Sequence, residues 1–142
     1  MIAIGSDHGG YVLKECIKNH FKDVDFKDFG AYSEERTDYP LIAINVAESV
    51  ASGECESGIV ICKTGIGVCI AANKVKGIRC ALCYNEEVAK LAKEHNNANM
   101  IALGAGQLTE EEAINIITNW RNSIFLGDRH ENRINTISKY EK

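Results

Sequence analysis

The segment Gly58-Ile59-Val60-Ile61-Cys62-Lys63-Thr64-Gly65-Ile66-Gly67 decides the fold of this chain. Residues 58–62 are almost entirely apolar, which is typical of a short strand that is covered on both faces of a sheet. A glycine-bearing loop follows, and a helical pattern begins at Gly67. A strand, a loop and a helix in this order form the first part of a β-α-β unit, which predicts a parallel sheet.

The same alternation of strand and helix patterns extends over the whole chain. Strands are predicted at residues 2–5, 25–29, 58–62, 79–83 and 100–103, and helices at 10–21, 40–52, 67–74, 86–94, 109–121 and 131–141. This order predicts an α/β fold of the doubly wound, Rossmann-like type, with a five-stranded parallel sheet, helices on both faces and a C-terminal helix. The 142 residues, of which 45% are hydrophobic, suit a single domain over residues 1–142.

Charge and apolar patterning exclude two classes of partner. A net charge of −4 lacks the basic footprint of a nucleic-acid-binding protein. No apolar run approaches the roughly 20 residues that a membrane-spanning helix needs. The amino-terminal residues show no signal-peptide pattern, and the chain is too long and too apolar for a disulfide scaffold. We therefore expect a cytoplasmic protein whose six cysteines are reduced.

Cys80 and Cys83 have the C-x-x-C spacing of zinc and redox sites. They fall in an apolar run that is predicted to be a strand, where residues three apart point to opposite faces and chelate poorly. No other group of residues has the spacing of metal ligands. We therefore predict that the protein uses no metal and no cofactor.

The loop from Cys62 to Gly67 is the strongest candidate for chemistry. Successive backbone N–H groups at the start of a helix form a ready site for an anion, and a thiol beside such a site is stabilised as the thiolate. The thiolate could act as a nucleophile or as a base, whereas the structural alternative is a buried cysteine before an ordinary turn. A phosphatase of the C-x₅-R type is excluded because Val68 stands at the arginine position. A thiol protease that uses His95 and Asn96 stays open.

Several other polar residues follow predicted strands or lie near helix ends, and each has a structural alternative. Asp7 and His8 could bind sugar hydroxyls, or Asp7 could cap the first helix. His95 could act in catalysis or interact with a helix dipole. Arg129 and Arg133 could clamp a phosphate from one helix face, or they could be a solvated pair. Tyr39, next to Pro40, could simply be the aromatic residue at a helix entry.

Taken together, these motifs resemble the type B ribose-5-phosphate isomerase family, which includes galactose-6-phosphate and allose-6-phosphate isomerases. The resemblance spans essentially the whole chain. It rests on Gly-Ser-Asp-His-Gly-Gly at 5–10, Glu-Arg-Thr-Asp-Tyr-Pro at 35–40, Cys-x-Thr-Gly-Ile-Gly at 62–67, Ala-Ala-Asn-Lys at 71–74, Glu-His-Asn-Asn-Ala-Asn at 94–99 and Arg-His-x-x-Arg at 129–133.

The resemblance implies a metal-free aldose–ketose isomerase that interconverts ribose 5-phosphate and ribulose 5-phosphate through an enediolate. Cys62 would remove the C2 proton, and His95 would open the sugar ring. The substrate-binding residues that it implies are Lys63, Thr64, Gly65, Ile66 and Gly67 around the enediolate, Asp7, His8, Tyr39 and Asn96 on the sugar, and His8, Arg129 and Arg133 on the phosphate. It also implies a homodimer or tetramer, with each active site shared between two subunits.

Two positions depart from the family pattern. The family usually has glycine where this chain has Lys63, and a phosphate-binding arginine where this chain has Gly106. We hypothesise that Lys63 replaces part of the lost charge; the alternative is that its side chain points to solvent. The departures leave open an isomerase of a six-carbon sugar phosphate, allose 6-phosphate or galactose 6-phosphate. A sensor without catalysis is disfavoured because Cys62 and His95 are both present.

Overall fold

The computed structural model describes residues 1–141 and contains one five-stranded parallel sheet. The strands are β1 Ile2–Ser6, β2 Phe26–Asp28, β3 Ser57–Cys62, β4 Cys80–Leu82 and β5 Met100–Gly104, and their order in the sheet is β2-β1-β3-β5-β4. The helices are α1 Tyr11–His20, α2 Tyr39–Ala51, α3 Ile66–Asn73, α4 Glu86–Asn96, α5 Glu110–Asn122 and α6 Arg129–Tyr140. A short 3₁₀ turn, His8–Gly10, precedes α1. The predicted α/β fold is confirmed.

Each face of the sheet has its own apolar core. On one face, Ile4 of β1 and Ile61 of β3 pack with buried residues of α1, α4 and α5, including the fully buried Trp120. On the other face, Val60 of β3 and Met100 of β5 pack with α2 and α3. The central strands therefore have apolar side chains on both sides, which is why β3 could be recognised from its sequence alone.

The chain reverses its direction of winding between β1 and β3, and this places their carboxyl ends side by side. Ser6 of β1 is in register with Ile61 of β3, and the Asp7 amide donates to the Ile61 carbonyl over 3.2 Å. The start of the Asp7-His8 segment and the loop after Cys62 consequently meet at this switch point. Ligands of open parallel sheets bind at such points.

Two helices differ from their predicted ranges in a way that matters for the site. The prediction ended the fourth helix at residue 94, but α4 continues to Asn96 and ends because Asn97 adopts a left-handed conformation with φ of 45°. The last helix begins at Arg129 instead of residue 131. His95 and Asn96 therefore lie within the last turn of α4, and Arg129 and Arg133 both lie on α6.

The predicted structural role of Cys80 and Cys83 agrees with their positions. Cys80 belongs to the apolar core that includes α2 and α3, whereas Cys83 belongs to the core on the opposite face. The two side chains therefore point to opposite sides of β4. All six cysteines are free thiols.

Candidate active site

Cys62 is the last residue of β3, and its thiol lies under the loop that leads into α3. The Cys62 side chain is 5% exposed, and its Sγ accepts a hydrogen bond from the Gly65 amide over 3.2 Å. Gly65 has a φ of 79°, and a Cβ at this position would lie 2.7 Å from the Leu82 side chain. Only glycine fits this turn, and the turn aims a backbone donor at the sulfur.

An open cavity of about 450 Å³ lies at this end of the sheet. Its lining consists of Asp7, Tyr39, Cys62, Lys63, Thr64, Ile66, Gly67 and Ile70. The Tyr39 ring lies directly over Gly67, where an added Cβ would be 2.7 Å from its Cε1 atom. A small polar ligand in this cavity would contact the thiol, the loop amides and the tyrosine together.

Asp7 and His8 are held in place by backbone partners. The Asp7 carboxylate accepts from the Gly10 amide over 3.1 Å, so its predicted capping role is present. His8 Nδ1 lies 3.1 Å from the Thr37 amide nitrogen, and the Thr37 carbonyl oxygen is equally close. Whether Nδ1 accepts from the Thr37 amide or donates to the Thr37 carbonyl depends on the tautomer of the ring. In either tautomer, these contacts hold the ring beside Thr37.

The remaining predicted site residues form a second cluster on α4 and α6. The rings of His95 and His130 stack with their centroids 4.2 Å apart, and Arg129 and Arg133 flank His130 on α6. Desolvation, with additional contributions from His95 and both arginines, lowers the pKa of His130. Sequence reasoning assigned no role to His130, although it lies inside the Arg-His-x-x-Arg motif.

Arg79 fixes the end of α4 on which His95 and Asn96 lie. Its Nε donates to the Asn96 carbonyl over 3.0 Å, and its Nη2 donates to the Asn97 carbonyl over 2.9 Å. A guanidinium thus satisfies carbonyl groups that a helix end leaves unpaired. Sequence reasoning also missed this residue, because no local pattern links it to α4.

The two clusters lie at opposite ends of the sheet. Just beyond α4, the Asn99 carbonyl accepts from the Gly58 amide over 3.0 Å, so α4 ends beside the beginning of β3. Cys62 stands at the other end of the same strand. Because each strand residue advances the chain by about 3.3 Å, the six residues of β3 separate the two ends by about 16 Å. A single chain therefore does not bring His95, Asn96, Arg129 and Arg133 to Cys62.

The two positions that depart from the family pattern touch each other. The Gly106 amide donates to the Lys63 carbonyl over 2.8 Å. A Cβ at Gly106 would lie 3.1 Å from Cγ of Lys63, so the lysine stem runs over the space where a larger residue would stand. The first carbons of the Lys63 side chain therefore lie against position 106 and do not turn away from it.

Two further features bear on cofactors and membranes. Among residues 1–141, no group of three or more His, Cys, Asp or Glu side chains is arranged to hold a metal ion. Over the same residues, every helix is too short or too polar to cross a bilayer.

Comparisons with known proteins cover nearly the entire chain. Residues 2–137 match the family model described as Ribose/Galactose Isomerase. Ribose-5-phosphate isomerase B of Escherichia coli is 42% identical over 99% of this chain and 96% of its own length. A putative sugar phosphate isomerase of Bacillus subtilis is 44% identical over 99% of this chain and 97% of its own length.

Solved structures give the same result. Ribose-5-phosphate isomerase B of Clostridium thermocellum superimposes with a TM-score of 0.97 at 47% identity, covering 99% of this chain and 96% of that one. The Mycoplasma genitalium enzyme, solved with bound ribulose-5-phosphate, has a TM-score of 0.94 at 42% identity and covers 99% of this chain and 95% of that one. This chain therefore belongs to the ribose/galactose isomerase family and, within it, to the type B ribose-5-phosphate isomerases.

Proposed function

We propose that this protein is an aldose–ketose isomerase that interconverts ribose 5-phosphate and ribulose 5-phosphate, a reaction of the pentose phosphate pathway. The observation that carries the proposal is the Cys62 thiol beneath a loop of backbone donors, in a chain that is 42% identical to an enzyme solved with ribulose-5-phosphate. Isomerisation needs a base at C2 and donors for the oxyanion that develops at C1. The cavity supplies both.

Cys62 acts as the base in this proposal. Its thiolate removes the proton from C2 of the open-chain aldose, and the electron pair moves onto the carbonyl oxygen to give the enediolate. Backbone N–H groups of the loop, from Lys63 to Gly67, stabilise that oxyanion, and Thr64 assists. The Cys62 thiol then returns the proton to C1, while the proton of the C2 hydroxyl passes to the C1 oxygen, which leaves the C2 carbonyl of the ketose. Asp7, His8 and Tyr39 orient the sugar.

The second half of the site comes from a second copy of the chain. His95, which opens the sugar ring, and Asn96, which binds the sugar, lie at the far end of β3 from the cavity, and β3 is about 16 Å long. The phosphate-binding Arg129 and Arg133 lie on α6, whose His130 stacks on His95 at that far end. A homodimer, alone or within a tetramer, in which each copy offers one cluster to the other, builds two complete sites from two incomplete ones.

Exposed apolar side chains beside both clusters support this arrangement. Ile66 and Ile70, which line the cavity, are more than half exposed. Leu126, whose amide donates to the Glu94 carbonyl beside His95, and Ile137 of α6 are also more than half exposed. Apolar surface next to an incomplete site is expected to be buried against a partner.

Localisation and cofactor use follow from the same chemistry. The proposed reaction only moves a proton within one substrate, so it requires no redox group and no metal. The six free thiols agree with a cytoplasmic enzyme, because thiols persist in a reducing compartment. The enzyme consists of a single domain.

The direct test is turnover of ribose 5-phosphate, followed by the appearance of ketose, with allose 6-phosphate and galactose 6-phosphate assayed in parallel. We expect ribose 5-phosphate to have the highest kcat/KM, and we expect Cys62→Ser to abolish most turnover while leaving the circular dichroism spectrum unchanged. Cys16→Ser is the matched control, because Cys16 lies on α1 outside the cavity. Binding without turnover would favour a sensor, and preference for a six-carbon substrate would overturn the ribose assignment.

A further inference from the structure

Cys69 and Cys80 form a pair of thiols that the proposed reaction does not use. Cys69 lies in the second turn of α3, and Cys80 is the first residue of the edge strand β4. The Cys69 thiol donates to the Cys80 carbonyl over 3.4 Å, and both residues pack in the apolar core on the α2 and α3 side of the sheet. Neither residue lines the cavity that contains Cys62.

Asn73 holds the two cysteines together. Its amide nitrogen donates to the Cys80 carbonyl over 2.9 Å and lies 3.6 Å from the Cys69 sulfur. Its carbonyl oxygen accepts from the Cys80 amide over 2.8 Å. One side chain thus binds Cys80 on both its N–H and its C=O and approaches the sulfur of Cys69, which fixes α3 against β4 at this point.

The environments of the two sulfurs differ in the way that a reactive pair requires. The hydrogen bond from the Cys80 thiol, assisted by the Leu82 backbone and Asn73, lowers the pKa of Cys69 to about 7. The Cys69 thiol and burial raise the pKa of Cys80 well above its usual value. Cys69 is only half-buried, so it can meet a small oxidant, whereas Cys80 is buried behind it. Cys69 is therefore reachable and partly ionised near pH 7, and Cys80 is a protonated thiol beside it.

We propose that Cys69 and Cys80 form an oxidisable dithiol, a modification site at which a hydroperoxide converts the two thiols into an intramolecular disulfide. The Cys69 thiolate attacks the peroxide, so that an S–O bond forms, the O–O bond breaks and the remaining oxygen leaves as an alcohol or as water. The Cys80 sulfur then attacks Cys69, the S–S bond forms, and the sulfenic oxygen leaves as water with the Cys80 proton. The two sulfurs lose two electrons, and the peroxide gains them.

The site is separate from the proposed active site, so its test removes the catalytic thiol. Cys62→Ser protein is treated with limiting hydrogen peroxide near pH 7, any remaining thiols are blocked, and the peptides are mapped by mass spectrometry without reduction. We expect a Cys69–Cys80 linked peptide that disappears after treatment with dithiothreitol. Before oxidation, Cys69 should react with iodoacetamide about tenfold faster than Cys16, because a thiol with a pKa of about 7 is about half ionised at that pH. Burial and Glu110 raise the pKa of Cys16.

Two variants in the Cys62→Ser background identify the bonding partner. Cys80→Ala should block the bridge and leave Cys69 as a sulfenic acid that dimedone traps. Cys83→Ala should still form the bridge, because burial raises the pKa of Cys83 to about 12 and its side chain points to the other face of β4. A Cys69–Cys83 bridge, or oxidation of Cys16 while Cys69 and Cys80 stay reduced, would overturn the proposal. If Cys80→Ala does not fold, the peptide map of the Cys62→Ser protein still shows which two cysteines are linked.

Discussion

The Gly106→Arg substitution is expected to impair substrate binding when Lys63 is present and to restore it when Lys63→Gly has been introduced. In the structure, the lysine stem covers position 106: an added Cβ would lie 3.1 Å from Lys63 Cγ and 3.0 Å from its carbonyl oxygen. Both residues are exposed, so an arginine at position 106 would push the lysine stem aside. Lys63→Gly removes the stem, so a guanidinium can then occupy the space and bind a phosphate.

The magnitudes follow from the contacts. Loss of a charge-assisted hydrogen bond costs about 1.5–3 kcal/mol, so Lys63→Gly alone should raise KM for ribose 5-phosphate roughly 10- to 100-fold. Gly106→Arg in the Lys63→Gly background should recover most of that loss. The coupling between the two substitutions is then about 2 kcal/mol or more, and it should appear in KM more than in kcat.

The assay is a double-mutant cycle of four proteins, with KM and kcat measured for each. Gly106→Ala in both backgrounds is the matched control, because it adds the steric contact without the charge. Additive effects, within about 0.5 kcal/mol, would show that the two positions act independently. An unchanged KM in Lys63→Gly would show that the lysine side chain does not contact the substrate.

Three further substitutions test other parts of the account. Gly67→Ala should raise KM without lowering thermal stability, because its Cβ would displace the Tyr39 ring while alanine favours the helix; an unchanged KM would remove Tyr39 from the site. His95→Ala should reduce turnover of a cyclic aldose phosphate more than that of one that stays open; equal losses would place His95 in enolisation itself. Burial raises the pKa of Asp28, but the hydrogen bonds that its carboxylate accepts from Lys14, Lys18 and the Gly30 amide outweigh burial, so the net effect is a lowered pKa. Its stabilising contribution is therefore present above about pH 4 and is lost as the pH falls through its pKa in the folded protein. Asp28→Asn should lower the free energy of unfolding at pH 7 by about 3 kcal/mol, because Lys14 is fully buried. The difference from the parent, measured by urea unfolding, should shrink below pH 4; a constant difference would contradict the ionic origin.

The sheet and its helices were predictable because their signals are local. The apolar run of β3 identifies a strand covered on both faces, and Thr109 with Glu112 forms the capping box that starts α5. The end of α4 was misplaced by two residues, because its last turn, His95-Asn96, is polar and resembles a loop. Only the left-handed conformation of Asn97 ends that helix.

The sequence predicts a set of site residues but does not predict their geometry. His8 and Thr37 are 29 positions apart, and Thr37 lies in an irregular segment that no periodic pattern describes. The contact between Lys63 and Gly106 depends on β3 lying next to β5, and alternation of strands and helices does not determine strand order. The separation of His95 from Cys62, by contrast, could be predicted. Any helix that follows a parallel strand returns the chain to the opposite end of the sheet.

The claim that the active site forms between two chains is tested most directly by mixing two inactive variants. Cys62→Ser and His95→Ala proteins are unfolded together, refolded and assayed with ribose 5-phosphate, and each variant refolded alone is the control. In a two-fold dimer, each mixed pair contains one site with both Cys62 and His95 intact, so the mixture should recover about a quarter of the parent activity. Activity no higher than the sum of the separately refolded variants, in a mixture whose mass shows that mixed dimers have formed, would contradict a site shared between subunits.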